Sequence, residues 1–483
     1  MTGDTGAAMA EQAGELGTDV SWVSPARLPG STELLVDFHG EGSGEDELTW
    51  GQVGFWQGME QTGQSGTMGD VAPLPPGTTF ELMQELMTFV MGRHQSLRTR
   101  LRLVPGGRPR QVCAESGRLI IQVVDAGEAD PAEVAAQIKQ HFTEVNFDYE
   151  NEWPVRQAIV TAGGELRFGV TVYLHTAIDA TGLAVLLADM FARDPVTGQA
   201  GPVLGMQPLE QTRRQQTPAV QRHSVASLKH LENVMRTANP DGFGPPNYDG
   251  PAAFQMMRFR SPATALALPR IVAEHGINSS SAVLAVFALG VAQHTRVSIF
   301  SAMMMVSNRF RPGFADSVSA LVQISPYMID VADVTLGQTM ARAGSSLLHT
   351  YKNAYYDPYE QDALVDRVNA DLGVDFDFCC FYNDRREQRE VAGAELATDE
   401  QLAEAVAASS WEWMQQADMS TRKLFANVDD PPGCIEFQMS VDTRHFDADD
   451  LLAVLRGIEA AAVQTVLEPD AATGLVGRVQ QQA

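Results

Sequence analysis

The 483-residue sequence predicts a mixed α/β (α+β) chain of two lobes. Three observations lead there. The length exceeds one ordinary domain and suits two lobes of roughly 200 residues each. Strand-like alternation and helical apolar stripes are interleaved in both halves. A Pro-, Gly- and Gln-rich stretch at 194–250, with one helical insert, separates the halves. The expected division is a loosely attached or disordered arm at 1–30, a first lobe at 31–195, a connection at 196–250 and a second lobe at 251–483.

In the first lobe, "STELLVDFHG" (31–40) alternates as a strand does. "LTWGQVGFWQGM" (48–59) opens a short amphipathic helix with Trp50 and Trp56 as core, and 60–77 reads as Gly/Pro-rich loop. From Thr78 a long helix is expected to present Leu82, Leu86, Val90 and Leu97 on one apolar face. "PGGR" (105–108) turns between two strand-like pieces. "LRFGVTVYL" (166–174) alternates as a half-buried strand, and "GLAVLLADMFAR" (182–193) carries a helical stripe. His175 and Asp179 fall on the turn between them, where side chains project into clefts.

The second half continues with a helix at 279–294 capped by Asn278 or Ser279. Strands are expected through 297–306 and 318–324, a helix at about 335–350 and a strand near 375–383. An acidic helical stretch at 396–409, a last strand and a closing helix at 447–467 end the chain.

A formal charge of −27 argues against nucleic acid and anionic lipid as partners, since phosphate binding needs a basic stripe. No stretch reaches 18 uninterrupted apolar residues, and the acidic start lacks the basic and apolar regions of a signal peptide. Four cysteines (Cys113, Cys379, Cys380, Cys434) make no disulfide framework, which points to a reducing cytoplasm. No Cys/His grouping has zinc spacing, and no metal is expected.

The histidine turn has companions. "LTWGQVGFW" (48–56), "RHQSLRTRL" (93–101), "FDYENEWPVR" (147–156), "LHTAIDATG" (174–182), "SNRF" (307–310), "SVSALVQISPYMIDV" (317–331) and "YDPYEQDALV" (356–365) follow in that order. Together they resemble the condensation domains of nonribosomal peptide synthetases and the related polyketide-associated acyltransferases. The resemblance covers nearly the whole chain from about residue 30, as a free-standing member.

The family hallmark is two histidines, three variable residues, then Asp-Gly. His175 matches the second histidine and Asp179 the aspartate, while Leu174 replaces the first histidine and Ala180 the glycine. Gly182, two positions on, is expected to restore backbone freedom at the helix start. Gln323 and Ile324 stand where the family has Asn and Thr.

The resemblance implies two chloramphenicol acetyltransferase-like lobes in a V-shaped pseudo-dimer, with the site at their interface. It implies acyl transfer from a carrier-protein-bound thioester to an amine, with His175 as base or polarising group. Asp179 would pair with Arg309 as structural support, tying the histidine turn to a second-lobe strand end. Tyr173, Asn308, Gln323 and Ser325 would line the site or its tunnel. The phosphopantetheine arm would arrive on an acyl or peptidyl carrier protein, with no cofactor bound by the chain itself and a monomer sufficing.

Three alternatives stay open: ester formation on a hydroxyl, a silent condensation-like protein that recruits a carrier or enzyme, and hydrolase- or dehydratase-type modification of a tethered chain. Outside the site, His94, Arg93 and Arg98 read as scaffold, "MMM" (303–305) as buried strand and "FCC" (378–380) as core. The acid-rich 384–405 segment reads as a solvated face.

Overall fold

A computed structural model describes residues 23–194, 196–240, 242–386, 396–414 and 422–477. Most of the expected N-terminal arm and much of the acid-rich 384–405 segment lie outside these residues. The chain forms two compact units. One runs up to Val220 and takes in Ser307–Val322; the other holds Gln221–Val306 and continues from Gln323. The stretch expected as a connection is therefore shared, 196–220 going to the first unit and 221–250 to the second.

The first unit contains, in order, β1 (Thr32–His39), β2 (Gly44–Glu47), α1 (Trp50–Thr62), β3 (Thr67–Pro73), α2 (Phe80–Arg93), β4 (Thr99–Arg102), β5 (Arg110–Cys113) and β6 (Ser116–Asp125). Then come α3 (Pro131–Glu144), β7 (Val155–Ala162), β8 (Glu165–Leu174), α4 (Ala180–Phe191) and α5 (Pro208–Gln215). Its main sheet has the order β1-β6-β7-β8-β3, and β2-β5-β4 form a small second sheet. Only the β6–β7 pair of the main sheet is parallel, bridged by α3 as a crossover helix.

Four expectations for this unit are corrected. Residues 67–73 form the edge strand β3 rather than loop. Gly69 there lies against β8 so closely that a Cβ would stand 2.2 Å from the Thr171 carbonyl oxygen. The composition that reads as loop is what this close approach requires. Second, α2 buries Met83, Met87, Val90 and Met91, whereas Leu82 is 40% exposed. The stripe is rotated by about one residue because methionine serves as core. Third, residues 24–30 are not loose: the Gln122 side chain accepts from Leu28 N at 2.6 Å and donates to the Ala26 carbonyl at 3.2 Å. Fourth, 318–322 is not strand but part of the Ser307–Val322 segment, and its Val318 enters the first unit's core.

A helix α6 (Pro218–Thr237) leads on to the second unit. There follow β9 (Phe254–Ser261), α7 (Pro262–His275), α8 (Ser279–Thr295), β10 (Ile299–Val306), β11 (Gln323–Asp330), α9 (Leu336–Lys352) and α10 (Pro358–Leu372). The unit closes with β12 (Cys380–Asp384), α11 (Asp399–Ala407), β13 (Ser410–Met414), β14 (Leu424–Asp429), β15 (Ile435–Asp442) and α12 (Ala448–Leu467). Seven strands form one sheet in the order β11-β10-β12-β14-β15-β9-β13.

The centre of this unit is α8, buried on every side from Ser280 to Ala292, as its nearly uniform apolar sequence demands. Among the described residues, no single helix is long and apolar enough to cross a membrane. Where α8 meets α12, a Cβ on Gly290 would stand 2.6 Å from the backbone nitrogen of Ile458. Backbone cannot swing aside as a side-chain tip can. Gly290→Ala is therefore expected to destabilise the second unit by about 1–3 kcal/mol despite alanine's better helix propensity, read as a lowered urea midpoint.

Candidate active site: the histidine turn

The strand β8 ends at Leu174, and the next residue begins a tight turn. The backbone N–H of His175 donates to the Gly66 carbonyl at 2.9 Å, and Ala177 N donates to the Leu174 carbonyl at 2.9 Å. Asp179 then caps α4: its backbone is extended, and its Oδ1 accepts from Gly182 N at 2.7 Å. A strand end, a turn and an N-cap thus fix a short loop, each by local chemistry legible in "LHTAIDATG".

His175 Nδ1 lies 3.2 Å from the Ile178 carbonyl oxygen. A carbonyl can only accept, so Nδ1 carries the proton and Nε2 keeps its lone pair. Among the described residues nothing hydrogen-bonds Nε2. The imidazole stacks face to face on Phe55 of α1, ring centroids 4.5 Å apart and planes within 4°. Burial pushes the imidazole pKa below its usual value, against the opposing pull of the Ile178 carbonyl and the Asp179 charge. At neutral pH the ring is a neutral base with one free nitrogen.

Asp179 does not touch the imidazole. Its Oδ1 also receives Arg309 Nη2, and its Oδ2 accepts from Leu321 N at 2.8 Å. Both side chains of the ion pair are buried, 2% exposed for Asp179 and 8% for Arg309. The two Nη groups of Arg309 also donate to carbonyls of its own segment, Ser317 at 2.9 Å, Ser319 at 3.2 Å and Phe314 at 3.3 Å, while its buried Nε meets no partner among the described residues. The resemblance placed Arg309 at a second-lobe strand end. In the structure Arg309 follows β10 in sequence but belongs with Ser307–Val322 to the first unit, so the pair is internal to that unit.

The other expected site residues divide. Gly182 joins the cluster for a different reason than expected. It sits in the first turn of α4 without a positive φ, and a Cβ there would stand 3.0 Å from both Arg309 Nη2 and the Ser319 carbonyl. Closeness, not backbone freedom, requires glycine. Asn308 is fully buried in a left-handed conformation (φ 58°), donating to the Leu321 carbonyl at 3.2 Å and accepting from Arg311 Nε at 2.9 Å. It shapes the segment that carries Arg309. Tyr173 stands in the first unit's core, where burial pushes its hydroxyl up to about 12.

Gln323 and Ser325 stand in the second unit on β11. The Gln323 side chain donates to the Tyr356 carbonyl at 2.8 Å, and the Ser325 hydroxyl to the Thr350 carbonyl at 3.1 Å.

The scaffold residues are placed firmly. His94 Nε2 meets Asp189 at 3.0 Å, and Arg93 grips the same carboxylate with two bonds of 2.8 Å. Arg98 is fully buried and donates to backbone carbonyls of Glu41, Gly42 and Ala114. Cys379 and Cys380 are buried free thiols whose pKa values burial pushes up. Among the described residues, no three His, Cys, Asp or Glu side chains converge as a metal site would require.

Sequence reasoning missed Phe55, whose helix was read only through its tryptophans, and the carbonyls of Ile178, Ser317 and Ser319. Backbone acceptors carry no side-chain signature, so the sequence held no sign of them.

No family model matches the chain, and no curated protein sequence matches it either. Solved structures do. SgcC5 from Streptomyces globisporus matches at a TM-score of 0.63 and 16% identity, covering 88% of this chain and 100% of that one. The condensation domain from the Monacolin K polyketide synthase MokA matches at 0.67 and 14%, covering 89% and 99%. The X-domain, in its complex with OxyB from teicoplanin biosynthesis, matches at 0.67 and 14%, covering 88% and 94%. The chain has the mixed α/β fold of condensation domains.

Proposed function

We propose that the chain is a condensation-type acyltransferase of natural-product assembly. It would pass an acyl or aminoacyl group, held as a thioester on the phosphopantetheine of a carrier protein, to an amine. The observation that carries this reading is the state of His175: protonated at Nδ1, unpartnered at Nε2 and kept neutral by burial. In the step itself the amine nitrogen attacks the thioester carbonyl and Nε2 takes the amine proton. The C–N bond forms, the C–S bond breaks, and the departing thiolate receives that proton back from the imidazolium. The same geometry serves a hydroxyl acceptor, giving an ester instead. Asp179 and Arg309 hold the turn rather than touch substrate, so they are positioning residues in this scheme.

A second reading is a silent condensation fold that recruits another protein. Two observations favour it: Leu174 stands where the family has its first histidine, and an X-domain in complex with OxyB is among the matched structures. Mass-resolved transfer from a loaded carrier, wild type against His175→Ala, separates the readings. Product from wild type alone supports the acyltransferase. Equal product from both removes the base. Carrier binding without product in wild type supports the recruiter.

A further inference from the structure

We propose that Phe55 is a positioning residue for His175, holding the imidazole plane so that the free Nε2 points in one direction. The inference deepens the acyl-transfer reading and rests on it for its kinetic part alone.

The hydrogen bond from Nδ1 to the Ile178 carbonyl pins one corner of the ring. A single pinned corner leaves the ring free to pivot, because torsions into planar groups have broad minima. The phenyl of Phe55, parallel to within 4° at a centroid distance of 4.5 Å, removes that freedom from one face. This is the offset or parallel range in which ring pairs attract.

Phe55 is itself well anchored. Thr49 and Gln52 close a capping box at the start of α1, and Val53, Trp56 and Met59 of the same helix are buried. One turn before Phe55, Gly51 lies against the Ser307–Val322 segment, where a Cβ would stand 2.1 Å from the Ala320 carbonyl oxygen. The helix that carries the phenyl is thus held to the same segment that carries Arg309. Phe55 also covers one face of the imidazole from water, which contributes to the burial that keeps the ring neutral.

A packing role would accept any apolar side chain of similar volume; a plane-setting role would not. The test compares wild type with Phe55→Leu, Phe55→Tyr and Phe55→Ala in the full chain. The readouts are 15N chemical shifts of His175 across pH, and kcat and KM for transfer from an acyl-loaded carrier. Phe55→Leu is expected to let the ring pivot off the Ile178 carbonyl, which alone selects the Nδ1 proton, and so to mix the two neutral tautomers. It should lower kcat about tenfold to a hundredfold with KM nearly unchanged, as a misplaced reacting group does. Phe55→Tyr, which keeps the plane, should retain wild-type behaviour. A wild-type tautomer signature in Phe55→Leu would overturn the inference. If no variant, wild type included, transfers an acyl group, the functional reading falls while the nitrogen shifts still decide the role of Phe55. If Phe55→Ala fails to fold, the leucine and tyrosine variants carry the test.

Discussion

Asp179→Ala is expected to destabilise the first unit by about 3–5 kcal/mol, the cost of leaving one member of a buried ion pair without its partner. Three losses coincide in that substitution. Arg309 keeps its charge in a buried setting, the α4 N-terminus loses its cap, and Leu321 N loses its acceptor. The cap alone is worth roughly 0.5–2 kcal/mol, but the three terms share one carboxylate and do not add. Asp179→Asn keeps an oxygen for Gly182 N and removes the charge, so it should fall between wild type and alanine. Amide hydrogen exchange suits this measurement, because the two units need not unfold together. The amides of Gly182 and Leu321 should lose protection first. A loss of stability under about 1 kcal/mol would show that the pair contributes only what an exposed one does.

The second large effect concerns rate. His175→Ala is expected to lower transfer by about 10² to 10⁴, the usual contribution of a positioned general base. In wild type the activity should depend on pH in a definite direction. The imidazole must be neutral to accept a proton, and burial lowers its pKa. Activity should therefore be flat through neutrality and decline only as pH falls below the ordinary histidine range, with its midpoint under about 6.5. Stability follows the same sign. The unfolded chain takes up the proton first as pH falls, so the folded state loses stability from about 6.5 downward until the folded imidazole also protonates. A kcat/KM profile with its acidic limb centred above 6.5 would contradict the buried, neutral ring.

How much of this was legible depended on distance along the chain. The histidine turn could be read directly, because the alternation of 166–174, the apolar helix after it and a capping aspartate are local signals. The pairing of Asp179 with Arg309 spans 130 residues and came only with the resemblance. What stayed illegible was contact made by backbone. The composition of β3 hid a strand because glycine there answers to the Thr171 carbonyl. Gly182 was identified, but its reason was not, since nothing in the sequence announces the Ser319 carbonyl beside it. The stripe on α2 was misread by weighing leucine above methionine as the core-facing residue.

The chain departs for Ser307 after β10 and comes back at Gln323, and that excursion has a practical meaning. A gene fragment ending anywhere between 220 and 306 would encode a first unit with a hole in it. The aspartate at the helix cap would then face no guanidinium, and Gly51 no carbonyl. Attempts to produce the leading half by itself should yield insoluble material unless Ser307–Val322 is grafted back on. Ribosomal synthesis faces the same order of events: the first unit cannot finish until Val322 has emerged, after Gln221–Val306 of the second.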